Sequence, residues 1–457
     1  MPIIEQKTPK STYERRDTNM EIRPFQAFRF DPAVVGDVGS CTAPPFDVIS
    51  TPQQQKLYER NEHNIVRIVK GKTTPSDDGG NNQYTRAAEY FKRWVEEGAL
   101  KQDPTEAIYA YVQDFQLAGA TFQRLNFIAL AKLEDFGPPG RVRPHEQILQ
   151  EPMIDRLKLK RATAARFGLV FMLYEDDGKI ADKVIQKAAT LSPLIDFVDD
   201  ENVRHRIFAI TAKEDIDAIA AMMNDKTCVI ADGHHRYTTG LNYSKESSDP
   251  AAKYQMLAFS NTCQDGLRVL ATHRLVGNVN DFDMEKLLTS LKENFELAQL
   301  PFDSPTAQAQ AKEKMLEQMR LAHDQDKASF GIYGGNHCFF VAVLKDQRAM
   351  DSAVPNKSAA WRKLDTAVLQ KLVLEKVLRI DETKLVKGEY LEYVKDSPAA
   401  IDDSISQIDA GRKQVVFFMN PVKMQQLKMV TDAGERMPPK STYFFPKMYT
   451  GLTIQKL

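Results

Sequence analysis

Five consecutive residues, Asp232-Gly233-His234-His235-Arg236, bring together an acid, a glycine, two imidazoles and a guanidinium. The apolar run CVIA at 228–231 leads into them and reads as a strand, and the segment after them reads as a helix. A helix that starts at such a turn presents unpaired N–H groups there. Its dipole points the same way, so the motif is a ready seat for an anion. Gly233 lets a ligand approach the backbone closely. Arg236 adds a bidentate phosphate contact. His234 and His235 can donate hydrogen bonds or carry protons near neutral pH. Asp232 fits three roles: base, magnesium ligand or helix N-cap.

A purely structural role competes, in which Asp232 caps the helix and the imidazoles bond within the fold. No metal centre is expected. Adjacent helical histidines diverge by about 100°, and shared ligation prefers a spacing of three or four. The sequence also lacks HExxH.

Other residues could complete a site. Asp47 lies in the proline-shaped loop CTAPPFDVIS at 41–50, where a carboxylate could hold magnesium, bind an amine or cap the next helix. In RVRPHEQ, Arg141, Arg143 and His145 alternate and so share a face if extended, with Glu146 as a proton acceptor, or the stretch is simply a solvent-exposed basic loop. Arg156, Lys158, Lys160 and Arg161 mark a basic helical stretch, read first as a solvated face. Arg204 and Arg206 would point to one side of a strand, adding positive charge if that side faces the turn. Near the end, GERMPPKSTYFFPK offers Arg436, Lys440, Ser441, Thr442, Tyr443 and Lys447, or simply packs its aromatic residues into a core.

Around these residues the chain must build a scaffold. Its 457 residues favour two or three domains. The expected division is a polar tail at 1–20, a region over 21–276 that carries the motif, and a C-terminal α/β domain over 277–457. Two strands, AIYAYVQDF and FIALAKLEDF, should form a hairpin turning at Ala118 and Gly119. Helices are expected near 84–100, 154–165, 179–190, 213–224, 281–296, 304–323, 364–378, 397–410 and 421–433. Strands are expected over FGLVFMLY (167–174), 203–211, 267–276, 329–333, 338–345 and 414–419. The class is therefore mixed, α+β, with a mixed-sheet core and a second α/β region. PKSTY occurs at 9–13 and at 439–443, but its flanks differ and no repeat follows.

The bulk numbers narrow the function. Lys+Arg is 61 against Asp+Glu 62, a net charge of −1, which argues against nucleic acid as a global partner. The four cysteines are scattered, without CxxC spacing, so neither a disulfide framework nor a metal knuckle is indicated. The first residues lack an apolar signal core, and the longest apolar run is too short for a membrane span. A cytoplasmic protein with no membrane partner is expected. No GxxxxGK[ST] loop and no GxSxG elbow occurs, which counts against an ordinary P-loop kinase or an α/β-hydrolase.

The DGHHR stretch resembles the signature of free serine kinases in the ParB/sulfiredoxin superfamily. The whole chain resembles the domain-of-unknown-function family 1015, through APPFDVIS (43–50), RPHEQ (143–147), DRLKLKRAT (155–163), VRHRIFAI (203–210), IADGHHRYTTG (230–240), LDTAVLQ (364–370), FFMNP (417–421) and AGERMPPKSTYFFPK (433–447). The superfamily resemblance implies a ParB/sulfiredoxin-like strand-turn-helix in which Gly233, His234, His235 and Arg236 contact phosphate; Arg143 and Arg204 are further phosphate-binding candidates on their charge and alternation alone. It implies a carboxylate acting on a hydroxyl; Asp47, Glu146 and Asp232 are the candidates on chemical grounds. The expected function is an enzyme of phosphotransfer, kinase or phosphatase. It would use ATP or ADP, with magnesium as an option, on a small hydroxylated metabolite such as serine or phosphoserine. The alternative is a ParB-like nucleotide-binding regulator that binds DNA without metabolite turnover; a third reading is an inactive metabolite-binding scaffold. A homo-oligomer is compatible with either.

Overall fold

The computed structural model describes residues 19–137, 140–147, 150–381, 384–385, 388–397 and 399–457. The tail expected at 1–20 lies outside these except for Asn19 and Met20. The class is α+β, as the mixed pattern of periodicities implied.

The first region is built on nine strands: β1 (Ile22–Arg23), β2 (Ile108–Leu117), β3 (Ala120–Lys132), β4 (Val142–Pro144), β5 (Val170–Tyr174), β6 (Ile195–Val198), β7 (Arg204–Ile210), β8 (Cys228–Asp232) and β9 (Tyr254–Asn261). They lie in the order β4-β8-β5-β9-β3-β2-β7-β6, with β1 pairing beside β3. β4 runs parallel to β8 and β5 parallel to β9; the other pairings are antiparallel, so the sheet is mixed. β2 and β3 form the expected hairpin. Ala118 and Gly119 both have positive φ, 50° and 79°, which a two-residue turn between twisted strands requires.

Five helices matter for the site: α1 (Gln83–Glu96), α2 (Gln150–Thr163), α3 (Ile180–Ala188), α4 (Lys213–Met223) and α5 (His234–Glu246). α3 and α4 cover one face of the sheet over Phe127, Met172, Phe208 and Phe259. The other face, with Tyr109, Phe171 and Ile207, shares a core with Phe330 and Phe417 of the second region. Covering both faces explains why β5 and β9 are buried along their whole length. It also explains why β9 was not read from the sequence: YQMLAFSN lacks the alternation that marks a half-exposed strand.

The second region holds six strands: β10 (Thr272–Val276), β11 (Phe295–Pro301), β12 (Ser329–Tyr333), β13 (Cys338–Leu344), β14 (Leu391–Lys395) and β15 (Val415–Met419). Their order is β11-β13-β12-β15-β10-β14, and every pairing is antiparallel. Helices therefore flank an antiparallel sheet here, where an α/β alternation was expected. β11 begins where a helix was expected to end; that helix stops at Leu291, and the chain re-enters the sheet at Phe295. The run expected as one strand over 267–276 is two. Arg268–Leu270 pairs with Tyr443–Phe445, and β10 joins the second sheet. The last residues then return to the first region: Thr450 bridges Ala43, Ile454 bridges Phe28, and Gln455–Lys456 pairs with Ala165–Arg166. Among the described residues no helix is long and apolar enough to cross a membrane.

Candidate functional site

The DGHHR turn sits where the sequence placed it. β8 ends at Asp232, Gly233 turns the chain, and α5 starts at His234. The pairing of β8 with β5 shifts between Ile230 and Asp232, an irregularity that re-aims the strand end just before the turn. Gly233 has φ 93°, ψ 29°, a left-handed conformation that favours glycine. A Cβ there would also lie 3.0 Å from Nε of Arg236. Gly233→Ala should therefore destabilise the fold by about 1–2 kcal/mol from backbone strain alone and displace the Arg236 side chain. Equilibrium unfolding in urea checks this, and an unchanged midpoint would contradict it.

The four side chains of the motif go to three different surroundings, Asp232 and Arg236 sharing one. Asp232 is held between two cations: its Oδ2 accepts from Arg236 Nη2 at 2.6 Å and its Oδ1 from Lys447 Nζ at 3.1 Å. Burial works to raise its pKa, but Lys447 and then Arg236 more than offset this, and the carboxyl titrates below the usual carboxylate range. A carboxylate so committed is a poor proton acceptor, so the base role weighed for Asp232 gives way to a structural one. Nor is it the N-cap of α5: Gly233 holds that position, and among the described residues no side-chain cap bond is made there.

His234 is buried. Its Nε2 accepts from the backbone N–H groups of His145 and Glu146, at 3.2 and 3.3 Å. Accepting at Nε2 requires the neutral ring with its proton on Nδ1, which lies 4.0 Å from Glu146 Oε2. Burial, reinforced by the neighbouring His145, pushes the pKa of His234 well down. This imidazole fastens the 145–146 loop to the helix start. His145 completes the latch: its Nδ1 donates to the Ile230 carbonyl at 2.5 Å, and its Nε2 pairs with the Thr442 hydroxyl at 2.8 Å. The parallel pairing of β4 with β8 is what brings His145 alongside.

His235, one residue on, lies on a different side of α5 and lines an open cleft of about 920 Å³. Asp47, Lys70, Arg156 and Lys440 line the same cleft. Burial lowers the pKa of His235 against the opposing pull of Glu146 and Asp47. Glu146 borders this group: its Oε1 accepts from the backbone N–H of Lys440 at 3.2 Å. Asp47 is exposed on its loop. That loop is pinned from beneath, because Lys70 Nζ donates to the carbonyls of Phe46, at 3.0 Å, and Ile49, while Arg156 stacks on Phe46 at 3.9 Å.

Arg236 turns away from the cleft. Its guanidinium folds back over Gly233, bonding Asp232 and the carbonyl of Leu169, and lines a small inner cavity. Arg143 donates to the carbonyls of Gly140, at 2.6 Å, and Val142, within its own loop. Arg204 is not brought to the turn. It bonds Asp196 at 2.6 and 2.8 Å on β6, and β7 lies five strands from β8, roughly 24 Å at the usual strand spacing.

Sequence reasoning undervalued two groups. Residue type alone puts Arg156 and Lys160 with Lys158 and Arg161 on one solvated face. In α2 the first two, four apart, point inward, and the other pair is paired or exposed outside. The signal was present: α2 has no clean apolar stripe, so a helix buried on one side had to bury polar groups. Among the described residues no cluster of three or more His, Cys, Asp or Glu could hold a metal ion.

A family described as protein of unknown function, DUF1015, matches residues 22–367. The chain belongs to that family. The family match spans the 41–50 loop, the 143–147 segment, α2 and the DGHHR turn; Lys440, Thr442 and Lys447 reach the site from beyond it. No curated protein matches. Among solved structures the chain is similar to a free serine kinase in complex with AMP, with 13% identity over 66% of this chain and 83% of that one, at a TM-score of 0.33. It is similar to a mutant free serine kinase in complex with ADP, with 14% identity over 66% and 84%, at a TM-score of 0.33. It is also similar to a conserved hypothetical protein from Pyrococcus furiosus, with 14% identity over 67% and 89%, at a TM-score of 0.32.

Proposed function

We propose that the cleft beside His235 binds a nucleotide or a phosphorylated substrate and transfers a phosphoryl group to or from a small hydroxylated metabolite, serine or phosphoserine being the first to test. One observation carries this reading: the helix start of the DGHHR turn delivers His235 to a cleft of about 920 Å³ whose wall also holds Lys70, Lys72, Arg156 and Lys440, together with Asp155, paired to Arg156, and the exposed Asp47. Cations around a cleft suit polyphosphate, and a carboxylate among them suits a hydroxyl nucleophile or magnesium.

In this reading a bound nucleotide supplies the transferable phosphoryl group. Lys440 and Arg156 offset its charge. His235, kept neutral by burial, holds a phosphate oxygen through a ring N–H. Asp47 takes the hydroxyl proton as the hydroxyl oxygen bonds to phosphorus and the bond to the leaving oxygen breaks. If magnesium participates, Asp47 is the carboxylate placed to hold it. Most of the acceleration comes from positioning and fixed charge.

The test is a turnover screen with AMP, ADP, ATP and inorganic phosphate against hydroxy amino acids and their phosphates. Substrate-dependent release of phosphate or interconversion of nucleotides is expected, with His235→Ala reducing it at least tenfold, the loss of one charge-assisted contact. An active wild type with an equally active His235→Ala would place the chemistry elsewhere. No turnover with any pair would end the enzymatic reading.

A further inference from the structure

Beside the cleft, sharing Phe46 and Arg156 with it, lies a second and smaller cavity of about 70 Å³. Four cationic side chains wall it, Arg156, Lys160, Arg166 and Arg236, and among the described residues no aspartate or glutamate does. Two of the four have carboxylate partners behind them. Arg156 bonds Asp155 at 2.5 Å, and Arg236 bonds Asp232 at 2.6 Å. The other two bond only neutral groups among the described residues. Lys160 donates to Gln255 Oε1 at 3.2 Å. Arg166 shares that same oxygen at 3.2 Å and otherwise donates to the Gln455 amide and to the carbonyls of Ala251, Ala252 and Tyr254. Lys160 is 6% exposed and Arg166 3% exposed.

Two buried cations facing each other across a single amide oxygen are costly unless something negative sits between them. Burial first, and then the charge of Arg166, push the ammonium of Lys160 well below its ordinary pKa. The protein can relieve this cost by shedding the Lys160 proton or by holding an anion. The rest of the wall is largely apolar, with Phe46, Leu159 and Phe167, and Thr239, Thr450 and Gln255 add polar groups; the cavity has room for one tetrahedral oxyanion or about two waters at 30 Å³ each.

We propose that this inner cavity is a phosphate site, filled either by free inorganic phosphate or by the phosphate end of a slim metabolite entering from the cleft past Phe46 and Arg156. Lys160 and Arg166 are its principal ligands, and Arg156 and Arg236 close it. This gives Arg236 the anion-binding role expected from the sequence, on the inner side of the turn and away from His235. The inference concerns equilibrium binding and holds whether or not the cleft turns over a phosphoryl group, so its failure and that of the phosphotransfer reading are told apart by different measurements.

The test is calorimetric titration of the full chain with inorganic phosphate and, separately, with O-phosphoserine, alongside thermal unfolding with and without each. Wild type should bind at least one of the two at a single site and unfold later in its presence. Lys160→Met should weaken that binding by about tenfold or more, the loss of a charge-assisted contact. It should also unfold no earlier than wild type without ligand, because an isosteric apolar chain removes a buried unpaired charge. Gln255→Glu is the second variant. It places a carboxylate where Lys160 and Arg166 converge, and should raise the unfolding temperature without ligand while abolishing phosphate binding. Binding of phosphate alone assigns the site to the free ion; tighter, competitive binding of phosphoserine assigns it to a phosphorylated metabolite. Absence of binding by wild type, or binding unchanged in both variants, would overturn the proposal and leave a neutral Lys160 with water as the occupant.

Discussion

Asp47→Asn is expected to lower turnover by about 10²–10⁴-fold, the usual contribution of a positioned general base, while nucleotide affinity stays near that of wild type. The amide keeps the shape and the turn-forming capacity of the loop but cannot take a proton. The loop itself is secured by Lys70 and Arg156, neither of which bonds the Asp47 side chain, so its path should survive the change. Glu146→Gln separates the two carboxylates still in contention. An amide oxygen there can still accept from the Lys440 N–H, so a small effect is expected. Single-turnover and binding measurements on both variants decide the matter. If Glu146→Gln is the crippled enzyme and Asp47→Asn is not, the base is Glu146 and Asp47 belongs to the loop's structure. If Asp47→Asn instead loses nucleotide binding and regains it at high magnesium, its role is that of metal ligand.

Asp232→Asn should cost about 3–5 kcal/mol of stability, the range for breaking a buried ion pair from one side. The side chains of Asp232, Arg236 and Lys447 are only 16, 10 and 13% exposed, so removing the one carboxylate strands two cations away from water. The pH dependence has a definite sign. The depressed pKa of Asp232 means its stabilisation is complete above the ordinary aspartate value of about 3.9 and is lost as pH falls toward the folded-state value. For Lys447, burial lowers the pKa, but Asp232, Tyr443 and Asp47 together outweigh it, and the net shift is upward. Its stabilisation is complete below the ordinary lysine value of about 10.4 and is lost as pH rises through the folded-state value. Wild type should therefore lose stability at both extremes through this pair, and Asp232→Asn should show a weaker slope on the acid side. Urea unfolding across pH measures both. A loss under about 1 kcal/mol, typical of an exposed pair, would show that the three groups are not coupled as the structure has them.

The local parts of the site were legible because they rest on local rules. An apolar run ending at Asp-Gly before a helical stretch gives a strand, a turn and a helix start whatever surrounds them, and the Ala118-Gly119 turn fixed the β2–β3 hairpin in the same way. β9 escaped notice for the opposite reason: a strand covered on both faces loses the alternation by which strands are read. The basic stretch of α2 was misjudged because a helix face is inward or outward only relative to what packs on it, and here α1 and α5 do the packing.

The sequence by itself determined the family resemblance, the mixed class and the place of an anion-seeking turn in the chain. Only the tertiary structure decided which member of that turn meets a ligand. Consecutive helical residues point about 100° apart, so the same backbone must send His234 into the core and His235 to the cleft. Which imidazole goes where depends on the 145–146 loop brought alongside by β4. Asp232 lost its freedom as a base to Lys447, 215 residues further along the chain, because the C-terminal segment folds back over the first sheet. Contacts of that kind arise from burial and chain return, which residue types and spacing do not record.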